Sequence, residues 1–163
     1  MHKTVVAAFA VFLALGSASL AHDFKIGSIE IDHPWVRPTP PSAPAASGFL
    51  TLTNSGSEPD RLVEVISSIA ASAEIHRSTI EDGVAKMRPL QKGVLVEPGK
   101  PINFEAERLH IMFMKPNAQL KDKEKFPATL VFERAGRVDV EFMVQRKDFA
   151  STPENHSGHA VSP

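Results

Sequence analysis

Histidine and methionine are the residues in this chain whose types and spacing could do chemistry. The sequence contains seven His, five Met and no Cys. In Leu109-His110-Ile111-Met112-Phe113-Met114, apolar residues alternate strictly with His and Met. Successive side chains of a strand point to opposite faces. Leu109, Ile111 and Phe113 therefore share a face suited to a core, and His110, Met112 and Met114 share the other. His110 and Met112 would lie about 7 Å apart along that strand, close enough to lean toward one point above the sheet.

A second pair, His76 and Met87, flanks Asp82-Gly83. Asp-Gly between two strand-like runs is a strong hairpin signal. A two-residue turn there places His76 opposite Pro89, with Met87 as its diagonal neighbour on the same face. A four-residue loop would set His76 directly against Met87, and a three-residue loop would put them on different faces. Two imidazoles and two thioethers, converging, would suit a soft monovalent ion, Cu(I). Zinc generally recruits His together with Cys or carboxylate, and calcium and magnesium take oxygen ligands. Taken singly, a Met in a strand reads as core filler and a His as a surface or satisfied structural residue. Met114 and Met143 keep that reading, and spacing alone leaves both accounts of the other four open.

These residues must be positioned by strands, because helix-period patterns are scarce and short alternating or β-branched runs recur. Candidate strands are 25–32, 48–53, 62–67, 73–79, 84–90, 94–96, 102–106, 109–115, 128–133 and 138–146. About ten short strands, broken by a run of prolines from Pro34 to Pro44 and by Pro98, Pro101, Pro116 and Pro127, read as an all-β antiparallel sandwich or barrel. A length of 163 residues fits one domain, and 42% hydrophobic content supplies a core. A net charge of −1 argues against nucleic acid as a partner. The absence of Cys excludes disulfides, thiolate metal sites and thiol nucleophiles, and a blue-copper His2Cys centre with them. No G-x-S-x-G, H-E-x-x-H or phosphate loop occurs, so an enzyme is not expected.

Lys3, the apolar run from Val5 to Gly16 and the small residues Ser19 and Ala21 form a secretory signal pattern with cleavage after Ala21. The apolar run falls short of the roughly 20 residues a membrane span needs. The expected division is a signal peptide at 1–21, a β-sandwich domain at 22–149 and a flexible polar tail with two His at 150–163. The location expected is the periplasm, with no stable membrane insertion after cleavage.

His76, then ten residues to Met87, then His110-Ile111-Met112, resembles the His-x10-Met…His-x-Met signature of periplasmic PCu(A)C-type copper chaperones. The surrounding residues follow that family's order: Ile29-Glu30-Ile31-Asp32-His33-Pro34-Trp35, Asp60-Arg61-Leu62, Glu74-Ile75-His76, Asp82-Gly83-Val84 and Met87-Arg88-Pro89. The resemblance covers roughly residues 24–146. It implies a cupredoxin-like β-sandwich that binds one Cu(I) through His76, Met87, His110 and Met112. It also implies delivery toward the CuA centre of a cytochrome oxidase, with an oxidase subunit or assembly factor as copper acceptor. The chain departs from the pattern before His110, where Glu105-Ala106-Glu107-Arg108 stands in place of the Gly-Gly of many relatives. His22 at a new N-terminus, and His156 and His159 in the tail, could chelate Cu(II), a solvated tail being the simpler reading of the last two. His33, before Pro34, reads as structural. The alternative from another class is a secreted β-sandwich interaction domain without a specific metal.

Overall fold

The computed structural model describes residues 23–147. The expected signal peptide, the domain boundaries at 22 and 149, and the Cu(II) candidates His22, His156 and His159 lie outside the described residues. The described chain forms eleven strands: β1 (Asp23–Ile26), β2 (Ile29–Val36), β3 (Ala45–Asn54), β4 (Asp60–Ile66), β5 (Ala70–Glu81), β6 (Val84–Pro89), β7 (Val94–Val96), β8 (Ile102–Asn103), β9 (Leu109–Pro116), β10 (Lys125–Phe132) and β11 (Gly136–Val144). The first expected strand, 25–32, is two strands. Gly27 adopts a φ of 56°, which a residue without Cβ takes at little cost, and the chain reverses so that Ile26 pairs with Ile29.

Hydrogen bonding runs in the order β6-β5-β9-β3-β2-β11-β10-β4-β7, with β1 added to β2 and β8 to β3. The pairings are antiparallel except for β11 on β2, which run parallel at Met143–Trp35 and Val144–Val36. That joint unites strands from opposite ends of the domain, where no hairpin can impose an antiparallel direction.

The sheet folds over on itself to enclose one core. Phe113 of β9 meets Phe126 of β10 and Phe142 of β11 edge-to-face, with ring centroids 5.3 and 5.4 Å apart. Phe126 and Phe142 stack on each other at 5.6 Å. Burying one such side chain contributes about 1.5–3 kcal/mol, so the triad fixes β9 against the opposite layer. Gly48 of β3 makes this packing possible, because a Cβ there would lie 2.8 Å from the Phe113 ring. Leu109, Ile111 and Phe113 are fully buried, as their alternation requires.

Candidate metal centre

Strands β6, β5 and β9 are adjacent, and their registers decide which side chains meet. Glu81 opposes Val84 across the Asp82-Gly83 turn, so the hairpin takes the two-residue form. Both turn residues have positive φ, 54° and 77°, the geometry that matches a tight turn to strand twist. His76 then opposes Pro89, and Met87 opposes Ser78, two pairs nearer the turn. On the other side of β5, His76 pairs directly with His110, and Glu74 with Met112.

By alternation, Met87 and Pro89 of β6, Glu74, His76 and Ser78 of β5, and His110, Met112 and Met114 of β9 all project from one face. The two imidazole centroids are 5.8 Å apart. Met112 is half-buried, and its Sδ accepts a hydrogen bond from Ser47 Oγ at 3.6 Å. Met87 stands 60% exposed on the outer strand. The structure thus brings His76, His110 and Met112 together and sets Met87 at the exposed margin of the same face. Met114 lies further along that face, opposed by Ser72 and Ala45. Met143 sits on β11, three strands from β9 in the sheet order.

The face that alternation leaves for the site is not uniformly open. His110 is only 5% exposed. Its pKa is pushed below the ordinary value of 6.5, first by burial and then by His76. A neutral imidazole keeps a lone pair for a metal, whereas a protonated one has none. Two buried nitrogens, His76 Nδ1 and His110 Nε2, have no hydrogen-bond partner. His76 Nε2 is engaged with Glu74 Oε2 at 2.9 Å. Among the described residues, no group of three or more His, Asp or Glu could hold a metal ion. Met112 places a soft thioether beside the two imidazoles on that face.

The stretch before His110 makes its turn without glycine. Arg108 itself adopts a φ of 56°, the conformation that glycine adopts freely. Leu109 N bonds Phe104 O at 2.7 Å, and Arg108 O accepts from Ser78 N at 2.9 Å, which ties this turn to the hairpin.

His33 lies away from these groups, at the irregularity in β2, where it has a φ of 48° and contacts Gln145 through Nε2 at 2.8 Å. From the sequence alone, two neighbours of the site, Glu74 and Ser47, are given no role there. Glu74 was legible in principle, two residues before His76 on the same strand face. Ser47 was not, because only the β3–β9 register brings it to Met112.

A family model described as putative lipoprotein LpqE-like matches residues 29–144, most of the chain. The chain belongs to the LpqE-like family. Among solved structures, this LpqE-like domain is similar to the apo PCuAC domain from PmoF1, at 25% identity and a TM-score of 0.65 over 77% of this chain and 100% of that one. The copper-bound PCuAC domain from PmoF2 matches at 24% identity and a TM-score of 0.65, over 77% and 99% of the two chains. The solution structure of CuI-DR1885 from Deinococcus radiodurans matches at 22% and 0.60, over 80% and 85%. The last two likenesses are of fold. Both the resemblance to the PCu(A)C-type family and the cupredoxin-like β-sandwich expected from it are borne out. A curated relative, the uncharacterized protein RP573 of Rickettsia prowazekii (strain Madrid E), is 27% identical over 109 residues, 65% of this chain. The match spans 60% of that relative's length.

Proposed function

We propose that this protein is a copper chaperone that carries one Cu(I) on His76, His110, Met112 and Met87 and passes it to an acceptor protein. The observation that carries the reading is the pair of buried, unpartnered nitrogens, His76 Nδ1 and His110 Nε2, on rings 5.8 Å apart on adjacent strands. Leaving a buried polar atom unsatisfied costs about 1–3 kcal/mol. A bound ion would satisfy both atoms at once. The thioether on the same face makes the donor set neutral and soft, which favours Cu(I) over zinc or calcium. The copper-bound PCuAC domain and the solved CuI-DR1885, both similar in fold, support copper as the cargo.

The geometry also suits transfer. His110 and His76 would hold the ion from the protein-covered side, while Met87 would reach it from an exposed strand. An acceptor's ligand could displace Met87 first and draw the ion outward without unfolding the sheet. This is carriage and exchange, not catalysis. The acceptor we infer from the family resemblance is a cytochrome oxidase subunit or assembly factor on the way to CuA. The lipoprotein description of the family and the signal pattern at 1–21 support work outside the cytoplasm, in the periplasm.

The test is a competition titration of the protein, residues 22–163, against a chromophoric Cu(I) chelator, with His110→Ala and Met87→Leu beside it. One tight equivalent that weakens in both variants is expected, and the loaded protein should be colourless. Unchanged affinity in either variant removes that residue from the site, and no tight binding overturns the proposal.

A further inference from the structure

The geometry points to Glu74 as the residue that positions His76, holding the ring so that Nδ1 and not Nε2 faces the cargo; this inference rests on the copper site proposed above. Glu74 and His76 are two residues apart on β5, so both side chains stand on the site face. Glu74 Oε2 lies 2.9 Å from His76 Nε2. An ionised carboxylate only accepts hydrogen bonds, so Nε2 carries the proton in that contact. A neutral imidazole has one N–H, which leaves the lone pair on Nδ1, the atom that is buried and without a partner. The contact therefore sets the tautomer and the ring rotation together, and both select Nδ1.

The rest of the site agrees with this placement. Glu74 pairs across the strands with Met112, so its backbone lies beside the donor group. The Glu74 side chain is 47% exposed and that of His76 is 14% exposed. An exposed carboxylate contact of this kind contributes little to folding. Its consequence falls on the ring: without it, His76 can rotate about its side-chain bonds and offer either nitrogen. Histidines that ligate metals commonly donate their second ring N–H to a carboxylate, and removing such a partner costs about 10–100-fold in metal affinity.

Glu74→Leu and Glu74→Gln separate orientation from charge. Gln keeps an oxygen that can accept from Nε2–H and loses the charge, whereas Leu loses both. In the apo protein, nitrogen-15 NMR of the His76 ring should show Nε2–H, with a slowly exchanging proton that persists in Glu74→Gln and vanishes in Glu74→Leu. Cu(I) affinity should fall about 10–100-fold in Glu74→Leu and recover most of that loss in Glu74→Gln. A wild-type ring protonated at Nδ1 overturns the inference. So does Glu74→Leu binding like wild type while His76→Ala binds weakly, and that result leaves the copper reading intact. If instead wild type and His76→Ala bind Cu(I) equally poorly, the copper site fails. A slowly exchanging Nε2–H lost in Glu74→Leu would then still support the positioning contact.

Discussion

Replacing His110 by Leu should stabilise the apo protein while removing its capacity to hold copper. His110 is 5% exposed, and its Nε2 is buried without a partner. An unsatisfied buried polar atom costs about 1–3 kcal/mol, and apolar replacements of similar volume in a packed site cost under about 1.5 kcal/mol. The balance favours Leu by roughly 1 kcal/mol, which for a domain of this size raises Tm by roughly 3–6 °C. Acid sensitivity should change as well. Burial holds the pKa of His110 below its ordinary 6.5, so near and below that pH the unfolded chain takes up a proton that the folded chain resists. Stability linked to this group is full above about pH 6.5 and falls as the pH drops toward the lower, folded-state value. The Leu variant should lose that component and unfold less readily in mild acid. Urea denaturation of copper-free wild type and variant at pH 7.5 and 5.5 measures both effects. A variant destabilised by 1 kcal/mol or more at pH 7.5 would refute the reasoning, since it would mean that the imidazole is satisfied in the apo fold.

Three other substitutions probe how the site is held. Met87→Leu should leave stability within about 0.5 kcal/mol, because the side chain is 60% exposed. Its Cu(I) affinity should fall by at least the roughly 10-fold typical of losing an outer partner, read by chelator competition. Gly48→Ala should destabilise by about 1–3 kcal/mol in urea, since its Cβ would meet the Phe113 ring at 2.8 Å with little room to yield. Arg108→Gly should stabilise by about 0.5–1 kcal/mol by relieving a φ of 56° while keeping the carbonyl that accepts from Ser78 N. A loss of stability in that variant would show that the Arg108 side chain contributes more than its backbone conformation costs.

The strands and the shared donor face were legible because alternation in 109–114 and the Asp82-Gly83 turn are local signals. His110 and Met112 fall on one face whatever the rest of the chain does, and a two-residue turn fixes Met87 relative to His76. The direct pairing of His76 with His110 was not legible. It depends on β5 lying beside β9, strands separated in sequence by β6, β7 and β8, and on a register set by the turn ending at Arg108. The split at Gly27-Ser28 was missed because a one-glycine reversal inside an alternating run looks like a continuous strand. The parallel joint of β11 on β2 was missed because it rests on long-range packing around Trp35 and Val36, with no turn to announce it.

Under the copper reading, the same features that make the apo site costly make the loaded one transferable. Two buried nitrogens without partners tie the free energy of the empty fold to the presence of cargo, because an ion bound only in the folded state stabilises it by mass action. Neutral ligands add no charge to hold the ion against displacement, and the thioethers, unlike a thiolate, need no deprotonation. The asymmetry of exposure then sets the direction of exchange. His110 is covered and Met87 is open, so an incoming ligand meets the thioether first and the imidazoles last. A site enclosed on all sides would protect the ion equally well and release it only through opening of the sheet. The exposed β6 margin is the part of this fold that makes handover compatible with a rigid sandwich.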